Sequence, residues 1–270
     1  MMPDKASANG TGASKSERHY KEPQVADSVA AIICAAGPGS RFGGKRKKQF
    51  MDVDGRAVFL RSVEMFCDRP EVKQVLLGIP ADEQEIVSVK WGANLKFFSV
   101  QVFVGGAERF ETVGKGLELV RDDISLVAVH DACRCCVTAQ TIGEVIAAAG
   151  KSGAAICASR VTATIKRVAK GVITETVDRR DLYEAQTPQV FALELLREAH
   201  AALDRLDRST ISDDAQLVEA LRRKVSIVEG DSSNIKITHK HDIAIAEAIL
   251  KSRPKVMPDG PVGPYIEAQW

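Results

Sequence analysis

The stretch Val29 to Met51, VAAIICAAGPGSRFGGKRKKQFM, constrains the fold more than any other. Val29 to Ala36 is a continuous apolar run with β-branched residues, the composition of a strand buried on both faces. The run breaks at Gly37, Pro38, Gly39 and Gly43-Gly44, where no regular element continues. Between Arg41 and Lys48 the loop carries five basic residues. A buried strand that empties into a glycine-rich, cationic loop is how α/β proteins hold phosphate. Glycines let backbone N–H groups approach the anion, and Arg and Lys side chains neutralise it.

Two familiar phosphate loops match incompletely. Gly39 to Lys45 supplies G-x-x-x-x-G-K, but Arg46 stands where a P-loop needs the hydroxyl that holds magnesium. Gly37 and Gly39 begin a dinucleotide fingerprint, but Phe42 occupies its third glycine position and would block close helix packing. A solvated basic surface loop is the alternative that this loop alone leaves open.

At 270 residues the chain can form one large α/β domain or two small ones. A net charge of +1 argues against a dedicated nucleic-acid binder, and an aromatic content of 5% leaves few platforms for base stacking. The positive charge is instead gathered in one loop, which suits a small anionic ligand. No apolar run approaches the length of a membrane span, and 1–27 is polar, without a signal-peptide pattern. A cytoplasmic protein that binds neither nucleic acid nor membrane is expected. Six cysteines, at 34, 67, 133, 135, 136 and 157, do not form a disulfide framework in a chain of this size. The cluster HDACRCC (130–136) lacks the second ligand pair of a zinc site, so no protein metal site is expected.

Residues 1–27 read as a disordered tail, 28–252 as the domain and 253–270 as a second tail. Within the domain, strands are expected at Val29–Ala36, Val72–Ile79, Phe97–Val104, Ser125–His130 and Ala154–Ala158. Helices are expected at Ala57–Cys67, Glu83–Trp91, Glu108–Val120 and Thr138–Ala149. The alternation means βαβ units: a Rossmann-like, mostly parallel sheet flanked by helices. Ligands bind at the carboxyl ends of such strands, so the loops Gly37–Lys48, Gly105–Thr112 and Asp131–Val137 should share one site.

The alternation ends at Val161–Tyr183, where two β-branched segments surround Ala169-Lys170-Gly171. This is a hairpin signal, too polar for a core sheet, and a projecting arm of about 160–183 usually packs on another subunit. Beyond it come Gln186 to Val190, then a helix over Leu193–Leu206 and another over Asp213–Leu221 capped by Ser212. Strand segments at Val225–Val228 and Asn234–Thr238 and a last helix at Asp242–Leu250 complete the reading.

AAGPGSRF followed by KKQF resembles the signature of the sugar-phosphate nucleotidyltransferases, and with GGAERFET, VHDACR, TIKR with TVDRRDLYEAQTPQVF, ISDDAQLVE and NIKIT makes seven segments that resemble a cytidylyltransferase family within it, in that family's order. Within that group the chain most resembles the 2-C-methyl-D-erythritol 4-phosphate cytidylyltransferase family, over about residues 28–252. The resemblance implies attack by a phosphate oxygen of methylerythritol phosphate on the α-phosphorus of CTP. Pyrophosphate would leave, with a magnesium ion held mainly by the CTP phosphates.

It also implies roles. Arg41 and Lys48 would stabilise the transition state, and Lys236 would reach the α-phosphate. Arg179 and Thr164, on the arm, would grip the methylerythritol phosphate across a homodimer interface. Gly37 and Gly39 belong to the nucleotide loop. The backbone of Ala35, Ala36 and Gly106 and the hydroxyl of Thr112 would select cytosine. Asp131 and Arg134 would approach the ribose and the sugar phosphate, with Ser212 nearby.

The chain departs from the family pattern at Ala107 and Ala163, where Asp is common, and at Cys135, where a proline is usual. Ribitol-5-phosphate cytidylyltransferase shares the fold and CTP site but differs in the arm, and TIKR plus TVDR favour methylerythritol phosphate. A non-catalytic nucleotide-binding relative is disfavoured by the retention of Arg41, Lys48, Arg179 and Lys236.

Overall fold

The apolar run after Ser28 forms β1 (Val29–Cys34), and Val29 to Ile33 expose none of their surface. In the computed structural model, residues 28–39, 42–43 and 46–254 are described; Arg41 and the expected tails, Arg253 and Pro254 apart, lie outside the described residues. β1 alternates between two cores. Ala31 and Ile33 face one, Ala30 and Ile32 the other. Each isoleucine buried there stabilises the fold by roughly 1.5–3 kcal/mol, which is why a run without polar interruptions ends up inside the sheet.

The elements that follow are β2 (Asp52–Val53), β3 (Arg56–Ala57), α1 (Val58–Cys67), β4 (Val72–Ile79), α2 (Gln84–Phe97), β5 (Gln101–Val104), α3 (Arg109–Leu117), β6 (Leu126–Asp131), α4 (Ala139–Ser152) and β7 (Ala154–Arg160). After the hairpin β8 (Ile165–Ala169) and β9 (Val172–Val177) come β10 (Tyr183–Ala192), α5 (Leu193–Ala201), α6 (Asp214–Ala220), β11 (Ser226–Glu229) and α7 (Asp242–Ser252). The central sheet runs β11-β7-β10-β6-β1-β4-β5. All its pairings are parallel except those of β10, which is antiparallel to β6 and β7. Buried residues of α1, α2 and α4 cover one face and those of α3, α5 and α6 the other. Among the described residues no helix is long and apolar enough to cross a membrane.

Several boundaries differ from the sequence expectation. β1 stops at Cys34, so Ala35 and Ala36 belong to the loop. α2 continues to Phe97 because Val87, Trp91 and Leu95 keep one apolar face buried, and β5 is correspondingly short. The stretch around Gln186–Val190, given no element from sequence, is the ten-residue strand β10. Its pairing with β7 shifts register between Ala185 and Gln189, at a cis Thr187–Pro188 bond. An interruption of that kind is where a strand tolerates proline.

Leu193–Leu206 is not one helix: α5 ends at Ala201 and a 3-10 turn follows at Leu203–Arg205. Asp213, rather than Ser212, caps α6, its carboxylate accepting from the Gln216 N–H. Asn234–Thr238 is a loop without a sheet partner, tied down where Ile237 N–H donates to Cys133 O at 2.9 Å. The arm hairpin forms a two-stranded sheet of its own, and Lys170 and Gly171 both take positive φ, as a tight two-residue turn requires.

Candidate active site

Loops leaving the carboxyl ends of β1, β5 and β6 converge on a cavity of about 250 Å³. Ala35 N–H donates to Gly78 O at 2.8 Å and Gly105 N–H to Ile79 O at 2.9 Å, so both glycine-rich loops leave the sheet beside β4. Two glycines are required where the loops turn and meet. Gly39 sits at φ +70°, and a Cβ on Gly105 would lie 2.4 Å from that of Ala36. The side-chain amide of Gln49, 2% exposed, donates to Ala35 O at 2.7 Å and Gly37 O at 3.1 Å and pins the first loop from behind.

Of the residues expected at the site, Ala35, Ala36, Gly37, Gly39, Lys48, Gly106, Thr112, Asp131 and Lys236 line this cavity. Thr112 braces the second loop, its hydroxyl accepting from Gly106 N–H at 3.0 Å. Lys48 Nζ donates to Ile237 O at 2.8 Å, which joins the basic loop to the 234–238 loop nearly two hundred residues later. That loop is held in turn by Asn234. Its side-chain amide donates to Gln186 Oε1 at 3.0 Å and Thr187 O at 2.9 Å.

Asp131, at the end of β6, holds two cations closely, with the Arg134 guanidinium a more distant third at 3.9 Å. Oδ1 accepts from Arg109 Nε at 2.8 Å, and Oδ2 lies 2.6 Å from Lys236 Nζ. Burial alone would raise its pKa, but Arg109 and Lys236 outweigh that and hold the carboxyl well below the usual range. Burial pushes the Cys34 thiol up to about 12 and the Cys133 thiol up to about 11, so neither thiol at the cavity wall is an ionised nucleophile at neutral pH.

Four expected residues lie elsewhere, and Arg41 lies outside the described residues. Arg134 is 6% exposed and does not line the cavity; it donates to Asn234 O at 2.7 Å and Ala185 O at 3.3 Å, bracing the 234–238 loop, and its Nε lies 3.9 Å from Asp131 Oδ2. Ser212 is exposed and bonded to Gln216. Thr164 and Arg179 are exposed at the base of the arm, and Arg179 donates to Thr162 O.

Sequence reasoning missed Arg109, Gln49 and Thr238, which also line the cavity. Arg109 was visible in GGAERFET as a cation opening the helix after the glycine pair. Its two carboxylate partners, 22 and 105 residues away, were not. Two of the three departures are absorbed locally, and nothing in the structure explains Ala163. Ala107 N–H is satisfied by Glu111 at 2.9 Å, and Cys135, 3% exposed, packs with Phe42, Val53 and Ile237 in a third apolar cluster.

A model of the family described as "IspD: 2-C-methyl-D-erythritol 4-phosphate cytidylyltransferase" matches residues 29–252, from β1 through α7. The chain belongs to that family. A 2-C-methyl-D-erythritol 4-phosphate cytidylyltransferase from Endomicrobium trichonymphae is 44% identical over 224 residues, 83% of this chain and 99% of the relative. One from Rhodopirellula baltica is 40% identical over 236 residues, covering 83% and 96%. Among solved structures, the cytidylyltransferase from Thermus thermophilus superposes with a TM-score of 0.68 at 33% identity, covering 83% of this chain and 99% of that one. The 4-diphosphocytidyl-2C-methyl-D-erythritol synthase from Anaerococcus prevotii superposes at 0.71, with 28% identity and coverage of 84% and 99%. The cavity is thus the place to look for the cytidylyltransferase chemistry of this family member.

Proposed function

We propose that this cavity transfers CMP from CTP to 2-C-methyl-D-erythritol 4-phosphate, releasing pyrophosphate and forming 4-diphosphocytidyl-2-C-methyl-D-erythritol in non-mevalonate isoprenoid biosynthesis. The observation that carries the reading is the gathering of Lys48, Arg109 and Lys236 at one cavity, the last two paired with the Asp131 carboxylate and Lys48 anchored on Ile237 O. A phosphate monoester has its second pKa near 6 and is largely dianionic at neutral pH, so the nucleophile needs no general base. The reaction needs two polyanions aligned and the charge at the transferring phosphorus offset, which fixed cations in a low-dielectric cleft supply.

In this reading Lys48 and Arg41 stabilise the transition state, and Lys236 exchanges Asp131 for the α-phosphate as CTP enters. Ala35, Ala36, Gly106 and Thr112 wall the base. The donor set fits a magnesium ion that enters with the triphosphate. Such an ion takes phosphate oxygens, waters and one or two carboxylates, and Asp131 and Glu108 are the carboxylates on the cavity wall. When bound, magnesium adds charge neutralisation at the phosphates.

The functional unit is 28–252, working in the cytoplasm as a homodimer through the arm. Val168, Val172 and Ile173, exposed by 56–67% on the hairpin, support that contact, and the partner's Thr164 and Arg179 would grip the sugar phosphate. The ribitol phosphate alternative is not favoured, since the relatives described above carry the methylerythritol name. The test is pyrophosphate release with CTP and magnesium, comparing 2-C-methyl-D-erythritol 4-phosphate with ribitol 5-phosphate. Release with the first alone is expected. Release with ribitol phosphate alone, or with neither, overturns the assignment.

A further inference from the structure

Asp214 is the most deeply buried ionisable side chain of the cluster behind the cavity. It exposes none of its surface, and its Oδ2 accepts from Arg109 Nη1. Behind it, Oδ1 has no hydrogen-bond partner. His200 Nε2, in a ring nine-tenths buried, stands 3.8 Å away. Asp214 does not line the cavity and touches no residue expected to meet substrate except through Arg109. Burying a carboxylate this completely is costly unless its partner is well placed. Helix capping does not account for it, because Asp213 already caps α6.

The geometry points to Asp214 and Arg109 as positioning residues for the transfer reaction: Asp214 anchors Arg109, and Arg109 holds Asp131 in place while Lys236 turns to phosphate. This rests on the function proposed above. Asp131 gives one oxygen to each cation, 2.8 Å from Arg109 Nε and 2.6 Å from Lys236 Nζ. Were Lys236 its only strong partner, Asp131 would be free to follow the ammonium and go on neutralising it as the phosphate arrived. Arg109 restrains the carboxylate from the other side. Arg109 must itself be kept from following, and its second bond, to Asp214, does that from α6. Two guanidinium nitrogens on two carboxylates fix the planar fork, an arrangement that a lysine, as a point charge, reproduces only in part.

The experiment uses the full chain and measures kcat and KM by pyrophosphate release, with thermal melts to report folding. Arg109→Gln and Asp214→Asn should each lower kcat by about 10- to 100-fold, the range for removing an outer partner that orients an active group. KM for CTP should move by less than about threefold. Because Asp214 acts through Arg109, the double variant should be no slower than Arg109→Gln alone, a non-additivity that independent structural damage would not give. Arg109→Lys should recover part of the loss. Unchanged kcat in folded Asp214→Asn, additive losses in the double variant, or a defect confined to KM overturns the inference. Should Asp214→Asn fail to fold, equal kcat in Arg109→Lys and Arg109→Gln overturns it instead. A silent wild type sinks the proposed function, and this inference with it. An active wild type with unaffected variants sinks this inference alone.

Discussion

Replacing His130 with Gln should remove a large part of the protein's sensitivity to mild acid. His130 lies in β6 directly before Asp131 and exposes none of its surface. Its Nδ1 is 3.0 Å from Thr187 Oγ1, the same hydroxyl that accepts the Asp131 N–H, and its Nε2 has no partner. Burial leaves an imidazolium unhydrated and pushes the pKa from 6.5 down to about 3. Between those values the unfolded chain binds a proton that the folded protein refuses. Stability is therefore full above pH 6.5 and is lost as pH falls toward 3.

At pH 4.5 the unfolded histidine is about 99% protonated and the folded one hardly at all, which at 1.36 kcal/mol per pKa unit costs roughly 3 kcal/mol relative to pH 8. Asp131 and Asp214, both held below the usual carboxylate range, lose stability with the same sign. Their loss begins only as pH approaches the ordinary carboxylate pKa, near 4. Urea unfolding at pH 8 and 4.5 separates the two: with a slope of roughly 2–3 kcal/mol per molar, the wild-type midpoint should fall by about 1 M. His130→Gln should start from a lower midpoint at pH 8 and fall much less. Parallel falls in the two proteins would refute the argument, because the protons would then be binding elsewhere.

Three further outcomes follow from the site and the arm. Lys48→Ala or Arg41→Ala should lower turnover by about 10²- to 10³-fold, the cost of one preorganised transition-state donor, and near-normal turnover in both would remove their assigned roles. Arg179→Ala should weaken 2-C-methyl-D-erythritol 4-phosphate binding in titration calorimetry while leaving CTP binding alone; a selective loss of CTP binding would mean that the arm has been misread. Val172→Asp combined with Ile173→Asp places charge on two exposed apolar residues of the hairpin. If the arm is the dimer contact, sedimentation should then show a monomer, and an unchanged dimer would move that contact elsewhere.

What could be read ahead of the structure was set by local chemistry. The parallel sheet followed from unbroken apolar runs such as Val29–Ile33 and Leu76–Ile79, because a strand covered on both faces reads as a near-continuous hydrophobic run. The cavity followed from where the glycines interrupt those runs. β10 was hidden because Gln186, Thr187 and Gln189 are polar yet buried, and their stability comes from distant partners. Gln189 donates to Asp213 at 2.8 Å, Gln186 to Ser159 at 3.1 Å, and Thr187 pairs with His130. Buried amides and hydroxyls are tolerated only when bonded, and nothing in a linear pattern reveals the bond.

The same limit shaped the site. The family resemblance implies that Arg134 approaches substrate, and its loop does leave the carboxyl end of β6 beside the cavity. The acceptors that claim its guanidinium, the carbonyls of Asn234 and Ala185, lie 100 and 51 residues away and turn it inward. Arg109 is the mirror case. The sequence assigns it no role, yet Asp131 and Asp214 hold it at the cavity wall. Both arginines leave the same sheet edge, and the direction of each is settled by which buried oxygen it reaches. In a site built from cations, then, motif spacing identifies the loops that carry charge, while the buried acceptors behind those loops decide which charges remain for the substrate.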